Sequence, residues 1–337
     1  MDNTPFKSYK VEERSYVAFV KREIHNLVKT VFDTQRVGEI DIVVSELTSN
    51  LIKYAGSGEL LYRLVTEDEN PLFELICLDN GPGIKNVSHS MKDGVSSRSS
   101  LGQGIGSVMR LSNFAQFYSL LDWGTICYAR FGPSQNEKSF EVKPSLLIRS
   151  LSVCKPGEFV CGDGYAAKYD KRGIAILTGD GLGHGPHAKE AIDQAIRSFH
   201  ETAETDPAVL IRKINEDVRK TRGLVTTLVL FDDETKQWKL CGVGNIGTRI
   251  YQGLEYKNYI CNNGIVGLNI PTRLENSIIP AERYQQLIMC SDGIKTKWDL
   301  IRYPSILKYD PMLLAAAIYK DHARQTDDMT VLIAKVV

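Results

Sequence analysis

The sequence has no C-x-x-C pair, and its seven cysteines, at positions 77, 127, 154, 161, 241, 261 and 290, are an odd set. That argues against a disulfide framework and a zinc knuckle, and it points to a reducing cytosol. There is no excess of charge either: 41 basic residues meet 41 acidic ones. The chain as a whole offers a polyanion little attraction, so neither nucleic acid nor an anionic membrane is expected as a partner. No apolar run approaches the roughly 18 residues that a membrane helix needs, and the start, MDNTPFKSYKVEERS, is polar. Neither a spanning segment nor a signal peptide is expected, and the protein reads as cytoplasmic. No internal repeat is present. What the sequence does have is apolar mass: 43% of 337 residues are hydrophobic, enough for two cores of ordinary size.

After a polar leader, Val17, Val20, Ile24, Leu27 and Val31 recur at helical spacing, and Ile40, Val43, Val44, Leu47 and Leu51 form a second helical stripe. Strand-like stretches follow at LLYRLV, FELICLD and FAQFYSLLDWGTICYARF, with a Gly- and Ser-rich segment before the last. Residues 133–145 are polar and aperiodic, the composition of a linker. They separate a domain at 1–132 from one at 146–337. The second domain begins with FVCGDGYAAKY and GIAILTGDG as strands. Two helices follow, one with Ala188, Ile192, Ala195 and Phe199 on one face and one around IRKINEDVRKTR. Then come strands at LVTTLVLF, WKLCGVGN, RIYQGL, YICNNG, QQLIMCSDG and MTVLIAKVV, with a late helix near PMLLAAAIYK. The expected class is α+β in two domains.

In the first domain, Glu46 and Asn50 project one helical turn apart from the same face. Asp79 ends an apolar run and is followed by Gly81 and Gly83, which let backbone approach a ligand, although DNGPG alone is also good turn chemistry. Gly102, Gly104 and Gly106 precede a stretch that can be helical, so their bare N–H groups would face an anion at its N-terminus. In this order and spacing, over residues 10–132, the three motifs resemble the GHKL nucleotide-binding fold. The resemblance is to the bacterial anti-sigma and switch-protein serine kinases of the RsbW, RsbT and SpoIIAB group. It implies an α/β sandwich that binds ATP. Asn50 would hold Mg²⁺ against the phosphates, Glu46 would act as base or water-positioner, and Asp79 would accept the adenine amino group. Gly81 and Gly83 would shape that pocket, and Gly102, Gly104 and Gly106 would cradle phosphates. Gln103 departs from the apolar residue usual there.

In the second domain, Asp163, Asp180, Asp292 and Asp327 each sit at a strand end beside a glycine or a second acid. Each alone reads as a turn. If the four converge, their charge needs cations, and an oxygen-only set selects Mg²⁺ or Mn²⁺ over zinc. Such a pair of ions suits phosphate ester hydrolysis. GDGY, GDGLGHG, TTLVLF, GVGN, SDG and DDMTVL, in this order over 146–337, resemble the metal-dependent protein phosphatases of the SpoIIE, RsbU and RsbX branch. The resemblance implies a β-sandwich flanked by helices on both outer faces. Asp180 would bridge two metals with the Gly181 carbonyl assisting, Asp163 would ligate the second metal, and Asp292 and Asp327 would complete the first. Asp328 would orient the cluster. His184 and His187 read as structural, Cys154 and Cys161 as core or strand residues, and Trp123, Trp238 and Trp298 as packing; spacing assigns no phosphate-binding arginine.

Taken together, the resemblances imply a partner-switching regulator, a serine/threonine kinase fused to a phosphoserine and phosphothreonine phosphatase. Its expected partners are STAS-domain antagonist or scaffold proteins and, through them, a sigma factor, and the organisation allows a homodimer. The alternative is a phosphatase whose first domain only senses ATP or binds a partner.

Overall fold

The computed structural model describes residues 3–11, 14–67, 70–85, 87, 101–133, 145–169 and 172–337. Among them are three five-stranded sheets in which every strand pair is antiparallel. The first half runs β1 (Lys7–Val11), α1 (Arg14–Val28), α2 (Thr34–Asn50), a π turn (Leu51–Ala55), β2 (Gly58–Glu67) and β3 (Asn70–Asp79). It ends with α3 (Leu101–Leu111), β4 (Phe114–Leu120) and β5 (Gly124–Phe131). Its sheet has the order β1-β2-β3-β5-β4. Helix α2 starts where Asp33 accepts the Arg36 N–H at 2.8 Å, a side-chain cap on an otherwise unpaired donor. Of the expected apolar stripes, Val20 and Ile24 on α1 and Ile40, Val43, Val44 and Leu47 on α2 lie against Leu60, Tyr62, Phe73, Leu75 and Phe131 of the sheet, with Val17 and Leu27 at its margin; Val31 is exposed, and Val28 is buried in its stead.

The second half runs β6 (Leu146–Val153), β7 (Asp163–Tyr169), β8 (Gly173–Gly181), α4 (Pro186–Glu201), α5 (Pro207–Asp217), β9 (Leu224–Asp232), β10 (Gln237–Val243) and β11 (Gly247–Gln252). It continues through β12 (Glu255–Tyr259), β13 (Ser277–Pro280), β14 (Gln286–Cys290), α6 (Pro311–His322) and β15 (Met329–Val336). Two sheets, β13-β10-β9-β8-β7 and β12-β11-β14-β15-β6, stack face to face. Between them lies a core that includes Ile176, Val229, Phe231, Trp238, Leu287 and Met289. Helices α4 and α5 cover one outer face and α6 the other. Of the expected linker, residues 134–144 lie outside the described residues.

The structure departs from the sequence expectation in four places. Leu146–Val153, unassigned in the sequence, forms β6 beside β15. Lys7–Val11, expected as part of a polar leader, is the edge strand β1. An edge strand with one solvated face tolerates lysines, so its composition does not separate it from a leader. The strand expected at YICNNG instead begins earlier, as β12 at Glu255, and the chain turns away after Tyr259; Gly264, at a φ of 143°, adopts a backbone that side chains resist. Ser277–Pro280, unassigned in the sequence, adds β13 to the edge of its sheet.

The second face of the N-terminal sheet is covered over β2 to β5. Leu61, Ile76, Leu78, Tyr118, Ile126 and Tyr128 alternate with the residues that face α1 and α2, and they pack against α6 of the C-terminal half. A sheet buried on both faces explains why FELICLD and TICYARF read as continuous rather than alternating apolar runs. Polar contacts cross the same boundary. Arg63 on β2 pairs with Glu74 at 2.6 Å and donates to Tyr165 Oη at 2.8 Å and to the Thr4 carbonyl at 3.2 Å. Tyr128 donates to the same Glu74. Burial alone would raise the Glu74 carboxyl, but Arg63 and Arg130 outweigh it and hold it below the usual range. Phe6, buried under the Arg63 guanidinium, donates its N–H to the Ser152 carbonyl at 2.7 Å, so the chain start bridges both halves.

Candidate functional site

Asp163 opens β7 directly opposite Asp180 near the end of β8. Asp292 lies just beyond β14 and Asp327 just before β15, two strands of the facing sheet that pair with each other. The four carboxylates therefore come from one end of the sandwich, two from each sheet. Burial raises the Asp180 carboxyl, and the charges that push it further are Asp163, Asp292, Asp327 and Asp328, all of them acidic. Asp163 is raised as well, first by burial. The structure thus brings together all four acids singled out in the sequence.

Several residues that position these acids were not assigned roles from the sequence. Ser291 donates to Asp163 Oδ2 at 2.6 Å and itself accepts the Thr330 N–H at 2.9 Å. Asn245 donates to Asp292 Oδ2 at 3.2 Å. Both stand inside quoted motifs, GVGN and SDG, but only contacts across strands reveal what they hold. Asp328 accepts the Lys155 N–H at 2.8 Å on one oxygen and the Gly162 N–H at 2.7 Å on the other, so it clamps the β6–β7 loop. Gly181 must lack a side chain, because a Cβ there would meet the Ala188 carbonyl oxygen at 2.2 Å; a Cβ on Gly293 would likewise lie 1.9 Å from the Asp328 carbonyl oxygen. His184 bonds Glu158 at 2.6 Å, and His187 faces Glu190. Exposed Arg222 flanks the turn after Asp180, its Nη1 3.2 Å from where a Cβ on Gly183 would lie.

The residues fit divalent cations. Asp163 Oδ1 is buried and has no hydrogen-bond partner, a costly state for a carboxylate oxygen in a site built only of like charges. A hard cation supplies the missing partner for such an oxygen set.

In the first half, α2 presents Glu46 and Asn50 to α3. A Cβ on Gly104 would lie 2.8 Å from Glu46 Oε2 and 3.5 Å from Asn50 Nδ2. Asp79, at the end of β3, accepts the Gly81 N–H at 2.8 Å and the Thr125 N–H at 3.1 Å; burial nevertheless raises its pKa. A cavity of about 170 Å³ opens beside it, lined by Asn50, Tyr54, Asp79, Gly81, Gly83 and Ile105 among others. Asn50, Asp79, Gly81 and Gly83 therefore share one cavity, with Glu46 a turn away. The glycine run needs correction. Helix α3 begins at Leu101, so Gly102, Gly104 and Gly106 lie inside its first two turns and not ahead of its N-terminus. The reason is packing: Ile105 and Val108 are buried in the helical layer, and Gly104 lets α3 lie close against α2. The Gln103 side chain and residues 88–100 lie outside the described residues.

Comparison with known proteins bears on this arrangement. The model of the stage II sporulation protein E (SpoIIE) family matches residues 170–337. Phosphoserine phosphatase RsbX of Bacillus subtilis (strain 168) is 31% identical over 93 residues, 27% of this chain and 46% of RsbX. Serine/threonine-protein kinase RsbT of the same organism is 33% identical over 94 residues, 28% of this chain and 71% of RsbT. The chain thus spans about half the length of RsbX. Among solved structures, a chain from a study of the bacterial stressosome, a modular system adapted to control secondary messenger signaling, aligns over 56% of this chain and 98% of its own. Its TM-score is 0.53 and its identity 27%. RsbX in complex with magnesium aligns over 57% of this chain and 96% of its own, with a TM-score of 0.52 and 19% identity. The stacked sheets with their flanking helices are those of a PP2C-like phosphatase fold. Residues 170–337 thus form a SpoIIE-like phosphatase domain of the PP2C type.

Proposed function

We propose that this protein is a partner-switching regulator with two opposed activities. Residues 146–337 remove phosphate from phosphoserine or phosphothreonine, and the cavity of the first half binds ATP with Mg²⁺ for transfer to a serine or threonine. The substrates are STAS-domain antagonist or scaffold proteins that govern a sigma factor. The observation that carries the phosphatase half is that Asp163, Asp292 and Asp327 all act on buried Asp180, with Asp163 Oδ1 buried and unpartnered.

Asp163, Asp180 and the Gly181 carbonyl would hold one ion, and Asp180, Asp292 and Asp327 the other. When bound, Mg²⁺ or Mn²⁺ supplies Lewis-acid activation of water and of the phosphoryl group. The protein's own part is geometric. Ser291 fixes the Asp163 carboxylate, Asn245 fixes Asp292, and Asp328 holds the backbone that carries Gly162 into Asp163. Arg222 at the rim offers a fork for a phosphate dianion.

In the first half, Asp79 accepts the adenine amine, with Gly81 and Gly83 beside it. Asn50 offers an oxygen to Mg²⁺, and Glu46 orients or takes the hydroxyl proton. A second reading is favoured by one observation: the sheet beneath this cavity shares a buried core with α6. On that reading ATP occupancy tunes the phosphatase and no phosphate is transferred. The full chain, incubated with ATP and the STAS proteins encoded beside it, separates the two by mass spectrometry. Under transfer, Glu46→Ala abolishes new phosphoserine or phosphothreonine and Asp292→Asn lets it accumulate. Under sensing, no STAS protein gains phosphate from either variant.

A further inference from the structure

The loop from β6 to β7 carries two thiols that the carboxylate centre does not use, Cys154 just after β6 and Cys161 just before Gly162 and Asp163. One ligand atom from each of Cys154, Cys161 and Asp328 lies within 4.8 Å of the other two. Cys161 is buried and Cys154 half-buried, so the group has a lining and an opening. The convergence has a visible cause. Asp328 accepts the N–H of Lys155, the residue after Cys154, and the N–H of Gly162, the residue after Cys161. One carboxylate thereby pins the backbone next to both cysteines and turns both thiols toward itself. Each of its oxygens keeps a second lone pair after accepting one N–H.

We propose that Cys154, Cys161 and Asp328 form a second cation site, beside the carboxylate centre and distinct from it in chemistry, that takes a thiophilic divalent ion of the zinc class. Two sulfurs and one oxygen suit zinc or cobalt and disfavour magnesium and manganese, which choose all-oxygen sets. Three protein ligands leave a fourth tetrahedral position for water at the open side. Binding is balanced by the loss of two thiol protons to solvent, so the two thiolates and the carboxylate offset the ion's charge with no electron transfer. The site also reaches the phosphatase centre. Gly162, between Cys161 and Asp163, accepts the Gly181 N–H on its carbonyl at 3.0 Å. An ion on Cys161 therefore stiffens the segment that holds Asp163 and Gly181 in place.

The test uses the full chain, reduced and metal-free, with the carboxylate centre first saturated with Mg²⁺. Titration with Co²⁺ should then produce one equivalent of near-ultraviolet thiolate-to-cobalt charge-transfer absorption, a signal that an all-oxygen centre cannot give, and an equivalent of Zn²⁺ should abolish it. Cys154→Ser, at the half-buried position, should lose the band while keeping its far-ultraviolet circular dichroism and its Mg²⁺-dependent phosphatase rate. Cys154→His should keep one-to-one Co²⁺ binding with a weaker band. Absence of the band in the unaltered chain overturns the proposal, as does an undiminished band in Cys154→Ser. A disulfide between Cys154 and Cys161 in the reduced preparation, seen by non-reducing peptide mapping, overturns it too.

Discussion

Asp163 and Asp180 stand opposite each other across β7 and β8, and the Asp163 oxygen that Ser291 does not reach is buried without a partner. Two carboxylates placed this way, with Asp292 and Asp327 acting on the same point from the facing sheet, repel unless cations sit among them. Asp180→Asn removes charge from the centre of that group. It should lower phosphoserine hydrolysis by about 10³-fold, the equivalent of several kcal/mol of transition-state stabilisation. Excess EDTA should silence the unaltered protein. Undiminished turnover in either experiment removes the two-ion reading.

The same group predicts a pH dependence. Burial and then the neighbouring aspartates raise the Asp180 carboxyl, and burial raises Asp163. A carboxyl raised in the folded state is protonated in both states below its unfolded pKa and then contributes no penalty. As pH climbs toward the folded value, only the unfolded chain releases the proton freely, and stability falls. Metal-free protein should therefore lose thermal stability between about pH 5 and about pH 8, and saturating Mg²⁺ should flatten that slope. Melts in EDTA and in Mg²⁺ across this range check it, parallel slopes being the adverse result.

Ser291→Ala removes the 2.6 Å donor to Asp163 Oδ2 and takes away the acceptor of the Thr330 N–H. The expected cost is about 1–3 kcal/mol of stability, with Mn²⁺ affinity weakened about 10–100-fold. Calorimetric titration with Mn²⁺ measures the second effect directly.

For the first half, Asp79→Asn keeps an oxygen for Gly81 and Thr125 but exchanges the charged acceptor for an amide. ATP affinity should fall about 10–100-fold, the range of a hydrogen bond to a charged group. Equal affinities by calorimetry would remove the adenine assignment.

The boundary between the halves makes a further prediction. Trp123 Nε1 donates to both oxygens of Asp321 on α6, at 3.1 and 2.9 Å, and the Tyr303 hydroxyl donates to the same carboxylate at 2.9 Å. Lys320, the preceding residue, donates to the Trp123 carbonyl at 2.9 Å. Asp321→Ala strands two donors and should cost about 1–3 kcal/mol. Hydrogen exchange should then speed up on both sides, in β4–β5 and in α6. Faster exchange in α6 alone would mean that the halves are not coupled there.

Much of this protein is written locally. Asp33 and the stripes at Val20, Ile24 and Leu27 and at Ile40, Val43 and Leu47 set two helices by spacing and capping, which need no distant partner. The Asp-Gly and Asp-Asp pairs mark strand ends for the same reason. Long-range packing decided the rest. Nothing near Leu61, Ile76 or Tyr128 in the chain says that α6 will cover them, because a strand's second face carries no label for what lies on it. Ser291 and Asp163, Asn245 and Asp292, and Asp328 with the Cys154–Cys161 loop meet only when two sheets stack. Gly104 shows the division most plainly: its type announces close approach, but the surface approached, helix α2, was chosen by the tertiary fold, since close packing is a property of two surfaces and a sequence pattern describes one.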